Sequence, residues 1–257
     1  MKEILDINYR STDSRTLPLD LFLPDSSEPA PLILWIHGGA WMMGDHKWCG
    51  LKEQVERGYA VASVDYRLST EARFPACVED CKYALAFLRE NAARYGIDAA
   101  KVCAAGDSAG GHLAAMMGVT AGHADWEPPG ADCRVQAVID FYGPVHLTRR
   151  YWPDEEDGSV AAQLLGEPVT TKRGMGLSAL ASPLTYIDGD EPPFLIYHGD
   201  ADDVVPIAHS YILRDELQKS GAKVTMHTAF GVGHETQMTA AVQALISEFL
   251  DRHLKNK

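Results

Sequence analysis

The sequence predicts an α/β protein: a mostly parallel central sheet with helices on both faces and an antiparallel hairpin at its N-terminal edge. Two patterns carry that expectation. Short apolar runs alternate with stretches of helical period over most of the chain, as strand–helix–strand units do. The first residues differ, alternating apolar and polar side chains in period two around a polar turn. The chain has 257 residues, 46% of them hydrophobic and 23% charged. That is enough apolar surface for one large α/β core, and the composition does not support disorder.

In chain order, Ile4 to Tyr9 and Leu17 to Leu23 form the hairpin across the polar turn Ser11 to Arg15. Leu32 to Ile36 is a continuous apolar strand and runs into His37-Gly38-Gly39-Ala40-Trp41, a segment with almost no structural propensity of its own. A helix is expected over Lys47 to Arg57, a strand over Ala60 to Val64, and a long helix over Pro75 to Tyr95. That helix puts Cys77, Cys81, Ala84, Leu85 and Leu88 on one buried stripe. Strands follow at Val102 to Ala105, Ala137 to Phe141, Phe194 to Tyr197 and Val224 to Thr228. Helices are expected at Gly110 to Thr120, Pro206 to Ser220 and Glu235 to Leu254.

One stretch breaks the alternation. From Gly143 to Tyr186 the chain carries Pro153, an acidic cluster from Asp154 to Asp157, several glycines and short helical patches around Val160 to Leu165. A long irregular connection in a compact domain is usually functional or mobile. The segment therefore reads as an insertion and lid, or as a solvated surface loop, on a chain that otherwise forms one domain.

The formal net charge of −13 repels phosphate backbones and anionic head groups, so neither nucleic acid nor a membrane is an expected partner. Met1 to Arg10 lacks the basic start and apolar run of a signal peptide, and no run reaches membrane-spanning length, so a cytoplasmic protein is expected. The five cysteines, Cys49, Cys77, Cys81, Cys103 and Cys133, are scattered through apolar stretches and read as buried reduced thiols. Cys77 and Cys81 resemble half a metal site, but no second pair stands at ligand spacing, so no structural zinc is expected.

The chemistry concentrates in three places. Gly106-Asp107-Ser108-Ala109-Gly110 lies between a predicted strand and a predicted helix. A serine there sits in a sharp, strained turn, and the flanking glycines remove side chains that would strike the neighbouring strand and helix. The helix N-terminus points free N–H groups at the reaction centre, and Ala109 N–H is placed to bind an oxyanion. A serine hydroxyl needs a base, and the base needs an orienting carboxylate. Downstream, Asp200, Asp202 and Asp203 share one loop after a strand. His234 stands between a glycine-flanked loop and the last helix.

These motifs resemble α/β-hydrolases of the esterase and lipase group. The chain is especially similar to small bifunctional acetyl-xylan and feruloyl esterases and to hormone-sensitive-lipase relatives. The resemblance runs from Leu17 to Leu254 through His37-Gly38-Gly39-Ala40-Trp41, Asp65-Tyr66-Arg67-Leu68, Gly106-Asp107-Ser108-Ala109-Gly110-Gly111, His198-Gly199-Asp200-Ala201-Asp202-Asp203-Val204-Val205-Pro206 and Gly233-His234. It implies the α/β-hydrolase fold and the order Ser108, Asp202, His234. The loop pattern falls on Asp202, with Asp203 as fallback and Asp200 stabilising the loop.

It also implies that the backbone N–H groups of Gly38 and Gly39 complete an oxyanion hole with Ala109, while Ala40 departs from the triple-glycine version. His37 reads as a structural hydrogen-bonding residue. Trp41 either lines the substrate pocket or packs beneath the loop, and Tyr66 with Arg67 either touches substrate or anchors the oxyanion loop. His46, His112, His123, His146, His209 and His227 have no supporting constellation.

The activity so implied is hydrolysis of short-chain or carbohydrate-linked esters, acetyl or feruloyl, by a serine carboxylesterase with no metal or organic cofactor. The small-molecule or saccharide ester is the only partner implied. Little chain precedes the first strands, so the helical cap of many hormone-sensitive-lipase relatives is expected to be missing and the site open. Three other readings stand beside it. The His-Gly-Gly-x-Trp form also resembles kynurenine formamidases, Ser108-Ala109-Gly110-Gly111 resembles prolyl-oligopeptidase relatives, and the fold can serve as a non-catalytic binding module.

Overall fold

The structure is a computed structural model that describes residues 1–147 and 159–255. Its strands are β1 (Lys2–Ser11), β2 (Thr16–Leu23), β3 (Ala30–Ile36), β4 (Ala60–Val64), β5 (Ile97–Asp107), β6 (Ala137–Phe141), β7 (Phe194–Gly199) and β8 (Val224–Ala229). They form one sheet in the order β1-β2-β4-β3-β5-β6-β7-β8. β1 pairs antiparallel with β2, and β2 antiparallel with β4. Every later pairing is parallel. The expected hairpin and the mostly parallel sheet are both present, and this is the α/β-hydrolase fold.

The helices are α1 (Ala76–Glu90), α2 (Ala92–Tyr95), α3 (Ala109–Val119), α4 (Val160–Leu165), α5 (Lys172–Leu180), α6 (Ala208–Ser220) and α7 (Ala240–Leu250). Period two within the strands divides the core between the two faces of the sheet. Leu32, Leu34 and Ile36 face a cluster with Cys77, Cys81, Leu85 and Leu88 of α1 and Leu113 and Met117 of α3. Ile33 and Trp35 face the other, with Ile246 and Phe249 of α7. The inner strands β3, β4, β6 and β7 are thus covered on both sides, which is why their runs are apolar throughout rather than alternating.

Three helices differ from expectation, and each difference has a local cause. Only Lys52–Arg57 of the first is helical, as a 3-10 turn. The carbonyl of Trp48 accepts the Trp35 indole N–H at 2.7 Å, and Gly50 presses so close to the Trp35 ring that a Cβ would lie 2.5 Å from it. The backbone there is committed to covering Trp35. The long helix breaks at Asn91, whose side-chain amide donates to the Phe87 carbonyl at 2.8 Å. The last helix starts at Ala240, capped by Thr239, because the preceding residues are spent presenting His234.

Of the irregular stretch, α4 was expected, whereas α5 is additional. Gly174 and Gly176 mask its helical pattern, and Thr171 caps it through Gly174 N–H at 2.9 Å. Pro153 and the acidic cluster Asp154 to Asp157 lie outside the described residues.

Between β3 and β5 the chain reverses its winding, since β4 lies to one side of β3 and β6 to the far side of β5. The crevice beyond the carboxyl ends of strands at such a switch point is where open α/β sheets bind ligands. The loops after β3 and β5 meet there, and they carry His37 to Trp41 and Ser108.

Candidate active site

Ser108 is the single residue between β5 and α3, with φ +53° and ψ −118°. For a residue with a Cβ this conformation costs roughly 1–3 kcal/mol, and it persists only where the surroundings impose it. They do so by close approach. A Cβ on Gly110 would lie 2.0 Å from the Ile36 carbonyl oxygen, and one on Gly106 would lie 2.4 Å from that of Gly110. Ser108 N–H donates to the Phe141 carbonyl of β6 at 2.8 Å and closes the turn.

The Ser108 hydroxyl lies 2.9 Å from His234 Nε2, and His234 Nδ1 lies 2.7 Å from Asp202 Oδ2. Asp202 Oδ1 accepts the N–H groups of Val204 and Val205 at 2.9 and 2.8 Å. Its side chain is shielded from solvent. Burial pushes this carboxyl up, but hydrogen bonds from His198, His234, Val205 and Val204 outweigh burial and hold it well below the ordinary carboxylate range.

Asp203 is exposed. Asp200 accepts Gly231 N–H at 2.6 Å and ties its loop to the one carrying His234. Of the three aspartates in that loop, Asp202 is the one beside the imidazole.

The loop after β3 is the less familiar half. Gly39 has φ +106°, and a Cβ there would lie 2.2 Å from the Met43 carbonyl oxygen, while Ala40 and Trp41 also take left-handed φ of +55° and +57°. Gly38 corrects an expectation. Its N–H is buried and donates to Asp107 Oδ1 at 2.9 Å, so it is not free for an oxyanion. The N–H groups of Gly39, Ala40 and Ala109 have no partner among the described residues.

Of the two readings open for Trp41 and for Tyr66, substrate contact is overturned and packing is what the structure shows, since both stand behind this loop. Trp41 is 2% exposed, and its indole N–H donates to His112 Nδ1 at 3.2 Å. Tyr66 is fully buried, stacks on His37 at 4.4 Å between ring centroids and donates its hydroxyl to the His37 carbonyl at 3.1 Å. Both side chains are taken up by packing and offer no face to a ligand. Arg67 is held by Asp80 at 2.8 Å.

Several participants were not singled out from the sequence. His112 accepts from Trp41 and donates Nε2–H to the Ala181 carbonyl at 2.7 Å, and burial pushes it down to about 4. It therefore stays neutral and joins the loop after β3, α3 and the end of α5. Asp107, pushed up by burial against the Gly38 hydrogen bond, holds that same loop. Tyr142, at φ +47°, lays its ring 4.7 Å from that of His234.

Outside this region, Asp6, Asp20 and His46 bring ligand atoms within 4.8 Å of one another. The Lys47 ammonium already sits on the Asp6 and Asp20 carboxylates at 2.8 and 3.0 Å and supplies the positive charge there.

A sheet wound in both directions from a serine elbow, with a histidine and a shielded carboxylate arriving on later loops, defines an α/β-hydrolase. The arrangement can pass a proton from Ser108 to His234 and hold the resulting imidazolium beside Asp202. The chain belongs to the BD-FAE family, whose family model matches residues 19–217. Esterase LipI of Mycobacterium tuberculosis is 40% identical over 252 residues, covering 90% of this chain and 73% of its own. Esterase LipC of the same organism is 33% identical over 215 residues, covering 81% of this chain and 53% of its own. This chain thus spans about half the length of LipC and of its relative LipQ. A truncated carbohydrate esterase from gut microbiota superposes with a TM-score of 0.89 at 30% identity, over 100% of this chain and 97% of that one. Among the described residues no helix is long and apolar enough to cross a membrane.

Proposed function

We propose that this protein is a serine carboxylesterase that hydrolyses short-chain esters, with acyl groups carried on carbohydrate as its substrate class. The observation that carries the reading is the unbroken relay from Ser108 Oγ through His234 to Asp202, at 2.9 and 2.7 Å. Membership of BD-FAE and the full-length likeness to a carbohydrate esterase support the ester and its sugar.

Ser108 Oγ attacks the ester carbonyl as His234 Nε2 takes its proton. Asp202 keeps the imidazole proton on Nδ1 and stabilises the cation. The carbonyl oxygen, now an anion, is met by N–H groups of Gly39, Ala40 and Ala109, a set from which Gly38 is withdrawn by Asp107. His234 then protonates the departing alcohol oxygen, and water repeats the cycle on the acyl-enzyme. The segment from 143 to 186 reads as an insertion into this one domain.

The test is a chain-length series of aryl esters together with acetylated and feruloylated xylan oligosaccharides, run on wild type and Ser108→Ala. Turnover is expected to be greatest on acetyl esters and to fall on the order of a million-fold in the variant. Undiminished hydrolysis by Ser108→Ala removes the reading. Efficient turnover of N-formylkynurenine with inert sugar esters replaces it with a formamidase.

A further inference from the structure

Asp202 Oδ2 is shared by two imidazoles. His234 Nδ1 approaches it at 2.7 Å, and His198 Nε2 lies 3.2 Å from the same oxygen. His198 ends β7 and is fully buried. Both of its nitrogens are engaged. Nε2 also lies 2.8 Å from the Val205 carbonyl, which can only accept, so the proton is on Nε2. Nδ1 lies 2.6 Å from Ser210 Oγ, whose hydroxyl can donate to it, and Ser210 belongs to α6. The ring is therefore bolted to the helix that follows the acid loop and aims one N–H between the loop's backbone and the carboxylate.

Resting on the Ser108–His234–Asp202 reading above, we propose that His198 is a positioning residue of the triad: its Nε2–H clamps Asp202 Oδ2 in the rotamer that meets His234 and draws off part of the carboxylate's charge. Asp202 has two oxygens to fix. The Val204 and Val205 amides hold Oδ1, and without His198 the only donor on Oδ2 among the described residues is the base that the carboxylate is meant to orient. A carboxylate relieved of a donor carries more charge toward its remaining partner and favours the protonated form of that partner.

Other groups face the two rings. Asp140 and Tyr142 at the end of β6 lie near His198, the Tyr142 ring at 6.2 Å, and His209 approaches from α6. Asp107 and Tyr142 face His234. Asp140, pushed up to about 6 by burial, ionises in the range where an esterase's acid limb is read, so it must be neutralised in parallel.

The experiment compares wild type, His198→Phe and His198→Gln on 4-nitrophenyl acetate from pH 4.5 to 9, each also in an Asp140→Asn background, with Ser108→Ala as control. His198→Phe is expected to lower kcat about tenfold with KM within about twofold, and to move the acid limb of kcat/KM upward by about half a pH unit. His198→Gln, which keeps an N–H donor, is expected to restore most of both.

A His198→Phe profile superimposable on wild type, or a glutamine variant no better than phenylalanine, overturns the proposal. A uniform drop in active fraction with an unmoved acid limb also overturns it, since that is what a merely structural residue gives. Should His198→Phe fail to fold, nitrogen-15 histidine spectra of wild type and His198→Gln decide. The His198 resonance must show its proton on Nε2, with a shift that changes in Asp202→Asn. A bare Nε2 overturns the role. Activity surviving in Ser108→Ala removes the triad reading itself, whereas a dead Ser108→Ala beside an unaffected His198→Phe removes this inference alone.

Discussion

The loop after β3 and the loop after β7 serve the same crevice, yet they are held by opposite means. The acid loop largely braces itself: Asp202 takes the amides two and three residues ahead of it, and the loop is pinned to the histidine loop by Asp200. The loop after β3 has three consecutive residues at positive φ; Met42 and Met43 N–H close a turn on the Gly39 carbonyl, and the side chains that fix the rest of its shape come from elsewhere. Asp107 takes Gly38 N–H, His112 takes the Trp41 indole, and Tyr66 takes the His37 carbonyl. A self-braced loop concentrates its function in one residue, whereas an externally braced loop spreads it over several.

The comparison breaks most visibly at the acid. Asp202→Asn is expected to cost on the order of ten-thousand-fold in kcat on aryl acetates, because the amide stabilises the wrong imidazole tautomer while leaving the fold intact. Asp203→Asn, at an exposed position, should stay within about twofold. Comparable losses in the two variants would mean that the acid is not localised.

On the other loop, Asp107→Ala and Trp41→Phe should each lower kcat about tenfold with little change in KM, since backbone donors act on the oxyanion of the transition state. The double variant should lose less than the product of the two, because both braces hold one loop. Strict multiplicativity in steady-state assays would show that the braces act on separate structures.

The same contrast explains what could be read from the sequence. That Ser108 and His234 meet was legible because the chemistry restricts their residue types and chain order, whereas Asp202 stood apart from Asp200 and Asp203 only through the resemblance of its loop to the family's; the inner strands were legible because runs covered on both faces are apolar. Gly38 was misjudged, and Trp41 and Tyr66 stayed open between packing and substrate contact, because their roles depend on partners far along the chain. His112 lies 71 positions from Trp41, and Asp107 lies 69 from Gly38. A histidine without a neighbouring motif looks like background until folding supplies its partners. The helix expected over Lys47 to Arg57 failed for a similar reason: its backbone is diverted to Trp35 by a contact that helical period does not encode.

The smallest effect isolates one brace. His112 accepts from Trp41 on Nδ1 and donates from Nε2, so it does its work only when neutral, and burial keeps it so by pushing it down to about 4 from 6.5. Between those values the unfolded chain binds a proton that the folded chain refuses, so stability rises with pH across this window and is lost as pH falls toward 4. The full difference is worth about 3 kcal/mol, and about 2 kcal/mol of it is lost between pH 7 and pH 4.5. Glutamine can also accept from an indole and donate to a carbonyl, but it does not titrate. His112→Gln should therefore lose about 2 kcal/mol less than wild type when urea unfolding is compared at those two pH values, the other titrating groups being common to both proteins. Equal losses would mean that the imidazole is charged in the fold, which would leave the Trp41 indole without its acceptor and return the loop after β3 to the braces supplied by Asp107 and Tyr66.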